Sequence, residues 1–230
     1  MKKLNAPRNR ILGSLPPAEL HAFGSTLISV DLQFGRIIYR PGQVIDTIYF
    51  PDQAVISFQG STGDGGSVEV WSVGHEGLAG MSGILSMSSP FSAYVQIPGR
   101  AWAVQRSHLL NHFDRAERLH DSILRYYQCL LIQASQLGVC NNAHAVEQRF
   151  SRWLLMLQDR SGASSLNLTQ ESIAGALGTR RATISVAAAA LQNAKLISYT
   201  PGSITINSRR GLQAATCHCY KFIKAHFDAA

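Results

Sequence analysis

The chain has 230 residues, 46% hydrophobic and 15% charged, which supplies apolar material for packed cores and too little charge for a disordered chain. Its longest apolar run, residues 184–191, is interrupted by Ser185 and falls far short of the roughly 18 residues that span a bilayer, so no membrane-crossing segment is expected. The net charge of +7 is uneven: residues 146–230 hold ten Lys/Arg against four acids, and residues 1–145 hold eleven against ten. The C-terminal third is therefore the part suited to a polyanion, nucleic acid first and an anionic membrane surface second.

The length suits two domains better than one. Arg8 and Arg10 fall where a signal peptide needs an apolar segment, so export is not expected. Cys129, Cys140, Cys217 and Cys219 are too sparse for a disulfide framework, and a reducing cytoplasm is the expected compartment.

Residues 27–105 read as short β-runs separated by turn residues, as in Thr47-Ile48-Tyr49-Phe50 before Pro51-Asp52 and Val68-Glu69-Val70-Trp71 after Gly65-Gly66. That pattern predicts an antiparallel sandwich or barrel. Near Ser107 the period changes. Leu119, Ile123, Tyr126, Leu130, Ala134 and Leu137 fall on one narrow helical stripe, which predicts a long helix and a seam between two copies of the chain. Packing of that stripe on the β-domain is the alternative. Asn141-Asn142 breaks the pattern, and a new helix carries Val146, Phe150, Trp153, Leu154 and Leu157.

Thr169 can cap a short helix through its hydroxyl, and Gly178 can take the positive φ of a tight turn. Ala174 is small where a second helix must cross, and Ile184 is apolar where that helix faces the core. Arg180-Arg181 opens the second helix, the end that enters the major groove in a helix-turn-helix. Two β-runs around Pro201-Gly202 follow and make a hairpin that serves as a wing.

These features resemble the Crp/Fnr family of bacterial transcription regulators over essentially the whole chain. The resemblance is carried by "LTQESIAGALGTRRATISVAAAALQNAKLI", and within the N-terminal part by "PGQVIDTIYFPDQAVIS" and "VGHEGLAGMSGIL". It implies an α+β fold: an N-terminal antiparallel β-roll of the cyclic-nucleotide-binding type (a jelly roll) over residues 1–106, a long dimerisation helix over 107–141, and a winged helix-turn-helix over 142–230. It further implies a homodimer on a two-fold symmetric double-stranded operator, with RNA polymerase as a partner if the protein activates. Arg181 and Ser185 would read bases, while Thr169, Gln170, Arg180, Thr183 and Ser203 would touch phosphates. Gly80, Phe91, Ser92, Ala134 and Ser135 would surround an effector.

Two departures from the family pattern matter. Phe91 stands where cyclic-AMP binders place an arginine for the cyclic phosphate, and a phenyl ring offers neither charge nor donor. The expected effector is therefore not cyclic AMP, and its identity is open. Beyond Arg181, the usual base-reading positions hold Ala182 and Val186, so the common half-site cannot be carried over.

His108 and His112 are i, i+4 neighbours without a further ligand in sequence, and in Cys217-His218-Cys219 adjacent ligands are expected to point apart, with the cysteines buried as small hydrophobes. No metal site and no cofactor are expected from these patterns. No His-x-His pair or Walker-type motif accompanies His75-Glu76, so catalysis is not expected. The alternative functional reading is a small-molecule sensor that acts on a protein partner through its winged-helix module.

Overall fold

The computed structural model describes residues 7–85 and 87–230, so residues 1–6 of the basic N-terminal run lie outside the described residues. The chain divides into two compact units. The first runs up to Phe58 and from Ser72 to Leu130, and the second comprises Gln59–Trp71 and Leu131–Ala229.

The first unit opens with α1 (Arg10–Gly13) and α2 (Pro17–Gly24). It continues through β1 (Ile28–Leu32), β2 (Ile37–Tyr39), β3 (Thr47–Pro51), β4 (Val55–Ser61) and β5 (Ser67–Val73), the last two reaching into the second unit. Then come α3 (Met81–Ile84), β6 (Ser92–Ile97), β7 (Gly99–Gln105) and α4 (Arg106–Phe113). The strands form two sheets, ordered β1-β7-β3 and β2-β6-β4-β5. Strand β7 pairs antiparallel with both neighbours, with Ala103 opposite Ile28 on one side and Tyr49 on the other. The expected antiparallel β-roll is thus the observed one.

Its core is built from Ile48, Phe50, Val55, Ile56, Val95 and Val104, all buried; these β-branched and aromatic residues suit pleated, covered surfaces. Asn9 secures the N-terminal edge. Its carboxamide oxygen caps α1 by accepting from Leu12 N–H, and its amide donates to the carbonyls of Pro51 at 2.9 Å and Gly77 at 2.7 Å.

The long helix is α5 (Glu117–Ala143). Its length agrees with the sequence period, but four of the six residues assigned to a dimer seam are already covered, while Ala134 and Leu137 are half-buried. Leu119, Ile123, Tyr126 and Leu130 are buried within a single copy of the chain. The Tyr126 ring lies so close to Gly77 that a Cβ there would fall 1.9 Å from it. These four residues therefore pack within the first unit. The residues one position further along, Leu124, Tyr127 and Leu131, are the exposed ones. A hydrophobic period identifies a face and says nothing about what covers it.

The second unit continues with α6 (Val146–Ser161), β8 (Ser165–Leu166), α7 (Gln170–Leu177), α8 (Arg181–Asn193), β9 (Ile197–Thr200), β10 (Ser203–Ile206), α9 (Arg209–Ala215) and α10 (Cys219–Ala229). The apolar residues of α6, among them Phe150, Trp153, Leu154 and Leu157, form its centre together with Ile173, Ile184 and Leu212. Arg209 locks the later helices to α6. It pairs with Asp159 at 2.6 Å and donates to Tyr220 Oη at 2.7 Å, and Tyr220 donates to Asp159 at 2.8 Å. Gln59–Trp71 groups here because the Trp153 indole N–H donates to Glu69 at 2.9 Å. No described helix is long and apolar enough to cross a membrane.

Candidate nucleic-acid interface

The start, turn and second helix of the motif are each fixed by local chemistry. Thr169 adopts an extended backbone and its Oγ1 accepts from Ser172 N–H at 3.1 Å, while Thr169 N–H donates to Ser172 Oγ at 3.0 Å. This reciprocal arrangement satisfies donors that a helix start leaves free. At the other end Gly178 is left-handed, φ 59° and ψ 46°, and Thr179 N–H reaches back to the Ala174 carbonyl at 3.0 Å, a glycine termination that β-carbon sterics favour. The buried Arg149 guanidinium donates to the Leu177 carbonyl and holds the turn from below.

Arg180 is the extended N-cap of α8, and its carbonyl accepts from Thr183 and Ile184. Ile184, Ala187, Ala188 and Leu191 face the core. Arg181, Ala182, Val186, Ala189 and Ala190 face outward, with Val186 66% exposed. The outward face thus begins with a cation and continues as small apolar groups.

Ser185 was expected to read bases. Its hydroxyl lies 2.8 Å from Gln170 Oε1 and 3.1 Å from the Arg181 carbonyl, so it ties α7 to α8. Ala182 and Val186, by contrast, present methyl groups from the outer face, the chemistry that contacts a thymine methyl. Their position in the motif was legible in sequence; their exposure on α8 was not.

Behind α8, strands β9 and β10 pair antiparallel with Thr200 opposite Ser203, and Gly202 takes φ 82° in the turn. Strand β8 adds a third member, not foreseen from sequence, and brings Ser165 Oγ within 3.4 Å of Ser203 Oγ. Thr169 is exposed, while Gln170, Thr183 and Ser203 are half-buried.

The basic excess of this region is partly structural. Arg149, Arg152 and Arg160 are buried, and Arg209 is paired with Asp159. The exposed cations that remain include Arg180, Arg181, Lys195, Arg210 and Lys221. A count of charges by sequence therefore overstates the positive surface.

In the β-roll, Gly80 sits at φ 115°, and a Cβ there would meet Tyr39 Oη at 2.8 Å and Ile48 at 3.0 Å. Tyr39 fills this space. Its hydroxyl is within 2.8 Å of the Thr47 carbonyl and 3.0 Å of the Ala79 carbonyl, and burial pushes its pKa well above the ordinary tyrosine value. Phe91 and Ser92 are half-buried, and on α5 Ala134 is half-buried and Ser135 exposed. Two arginines of the roll are already engaged: Arg100 pairs with buried Asp52 at 2.6 Å, and Arg106 donates to the Gly83 carbonyl at 2.6 Å.

His112 packs edge-on against Phe23 with ring centroids 5.2 Å apart, and Glu76 accepts from Gly74 N–H. Both act as local structure. Cys217 and Cys219, for which no shared ligand set was expected, do find one. They converge with Cys140 and His144, because Cys217 lies before α10 and Cys219 opens it. His218, which lies between them, is not part of this group.

Residues 148–215 match the family model of the Crp-like helix-turn-helix domain. This segment is a winged helix-turn-helix of that kind. The described fold is also that of solved Crp/Fnr structures. A CRP-family transcriptional regulator from Thermus thermophilus is 14% identical with a TM-score of 0.68, covering 81% of this chain and 95% of its own. FixK2 from Bradyrhizobium japonicum is 14% identical with a TM-score of 0.66, covering 83% and 98%. The c-di-GMP responsive global regulator CLP from Xanthomonas campestris is 15% identical with a TM-score of 0.68, covering 84% and 100%. A search of the curated proteins returned no match. The α+β architecture expected from the sequence is the Crp/Fnr fold.

Proposed function

We propose that this protein is a homodimeric, DNA-binding transcription regulator of the Crp/Fnr type. The observation that carries the reading is the outer face of α8, where Arg181 leads a row of small apolar side chains on a helix buried along its opposite side. Such a helix enters the major groove N-terminus first. Arg181 reads a guanine through O6 and N7, and Ala182 and Val186 contact thymine methyls. Arg180, Thr169, Thr183 and Ser203 meet phosphates, and Gln170 and Ser185 hold the two helices in register.

Residues 1–106 act as the sensor, 107–141 as the dimerisation helix and 142–230 as the DNA-binding part. The seam between two copies follows Leu124, Tyr127, Leu131, Ala134 and Gly138, at steps of three and four residues along α5. Tyr39 occupying the space beside Gly80, with Phe91 in place of the phosphate-pairing arginine, supports an effector other than cyclic AMP. The protein works in the cytoplasm, contacts RNA polymerase where it activates, and has no catalytic role.

Selection of bound sequences from a random duplex pool tests the proposal. A palindromic site should emerge, and its affinity should fall steeply with salt as counterions are released. Arg181→Ala should cost about 1–3 kcal/mol and relax one base pair per half-site. Arg180→Ala should weaken all sites alike and reduce the salt slope by about one. Failure to enrich any duplex would leave the protein-partner reading in its place.

A further inference from the structure

Four potential ligands meet inside the second unit. Cys140 lies in the last turn of α5, and His144 follows one turn later, its N–H donating to the Cys140 carbonyl at 3.1 Å. Cys217 and Cys219 flank His218 at the entry to α10. The ligand atoms of Cys140, His144, Cys217 and Cys219 all lie within 4.8 Å of one another, with the three thiols buried and the imidazole half-buried. Cys140 Sγ stands 3.5 Å from Cys217 Sγ, and Cys219 Sγ stands 3.6 Å from His144 Nδ1.

We propose that these side chains form a closed Cys3His site for one zinc ion, which fastens the end of α5 to the start of α10. Zinc bonds thiolate sulfur at about 2.3 Å and imidazole nitrogen at about 2.0–2.1 Å, so ligand atoms at two corners of its tetrahedron stand about 3.5–3.8 Å apart. The two contacts quoted above match that edge length. A polynuclear iron–sulfur cluster spreads its four protein ligands over two or four irons bridged by sulfide, and so needs a wider ring of ligand atoms than a single ion does. Four protein ligands also leave no open position, which makes the site structural rather than catalytic.

Two further observations bear on the same site. Three thiolates, a neutral imidazole and a divalent ion carry a net charge of −1. Arg152 is buried at 3% exposure, its Nε has no hydrogen-bond partner, and its guanidinium lies close enough to act electrostatically on Cys140. No carboxylate pairs with it among the described residues; its hydrogen bond goes to Met156 Sδ at 3.4 Å. A buried guanidinium without a counter-ion is costly, and an anionic metal centre supplies one. The Gln136 amide also donates to Cys219 Sγ at 3.1 Å, the kind of outer contact that orients a metal-bound thiolate.

The test begins with the full-length protein purified without added metal or chelator, its zinc measured by elemental analysis. One zinc ion per chain is expected. Exchange with cobalt(II) should give sulfur-to-cobalt charge transfer and the intense visible bands of tetrahedral coordination. The double variant Cys217→Ser/Cys219→Ser should retain helix content and lose the metal, and Gln136→Ala should weaken zinc binding by about 10–100-fold. Should the double variant fail to fold, the cobalt spectrum of the unmodified protein decides alone. The inference is overturned if folded protein takes up neither zinc nor cobalt(II) with its thiols reduced. A Cys140–Cys217 disulfide in place of bound metal would overturn it equally. DNA binding takes no part in these readouts, so the outcome is independent of the function proposed above.

Discussion

Leu130 and Leu131 are neighbours on α5 with opposite expected fates. Leu130 is 8% exposed in the single chain and Leu131 is 54% exposed. Burying a whole leucine contributes roughly 1.5–3 kcal/mol, so covering the open half of Leu131 in a dimer contributes about 0.8–1.5 kcal/mol per chain, or about 1.6–3 kcal/mol for the pair. Leu131→Asp removes that gain and sets two carboxylates against each other across the seam. The dimer dissociation constant should rise at least 15- to 150-fold, at about 1.4 kcal/mol per decade. Thermal unfolding of the separated chain should hardly change. Leu130→Asp buries a charge inside the first unit and should abolish cooperative folding. Sedimentation velocity over a concentration series, paired with circular dichroism, reads both effects. A Leu131→Asp protein that remains dimeric at micromolar concentration refutes the placement of the seam, and a stable, folded Leu130→Asp protein refutes its assignment to the core.

Gly77→Ala should destabilise the first unit by about 1–3 kcal/mol through overpacking against Tyr126, seen as a lower denaturant midpoint with unchanged slope. Calorimetry with cyclic AMP should show no saturable heat, because Tyr39 fills the space beside Gly80 and Phe91 offers the phosphate no charge; a clear isotherm would require Tyr39 to swing out. Val186→Ser should lower affinity for sites carrying thymine at one position and leave uracil-substituted sites, which lack the methyl, almost unaffected. His112 has its pKa lowered below 6.5 by burial, with the charge of Arg115 and then His108 adding to it. Its unfolded form therefore binds protons more readily, so stability is complete above pH 6.5 and falls as the pH drops below it. His112→Phe should flatten that part of the stability–pH curve, and an unchanged acid limb would assign the loss to other groups.

The helix-turn-helix was legible because its determinants are local. Thr169, Gly178 and the Arg180-Arg181 pair act within a few residues of their own positions, and the same holds for Pro201-Gly202 in the wing. Strand β8 escaped notice because two residues, Ser165 and Leu166, carry no period. The α5 stripe shows a different limit. The helix has apolar residues on two adjoining faces, and which face meets the β-roll depends on Gly77, some fifty residues away in sequence. Buried arginines were hidden for a related reason, since Arg149 and Arg160 find their partners in Leu177 and Gln133 through tertiary contacts. The thiol–imidazole cluster joins residues 77 positions apart, and the i, i+4 pair Cys140–His144 and the Cys-x-Cys pair, taken separately, each supply too few ligands to mark a site.

The outer face of α8 also bears on how readily such a protein can change its targets. Ala182, Val186, Ala189 and Ala190 point away from the core, while Ile184, Ala187, Ala188 and Leu191 carry the packing. Fold and preference are thus written on separate sides of one helix. A single nucleotide change that converts Ala182 or Val186 to glutamate would place a new acceptor opposite cytosine at little cost in stability, since surface substitutions usually stay within about 0.5 kcal/mol. Divergence of operator sequence between duplicated copies of the gene could proceed through such steps while both copies stay folded throughout.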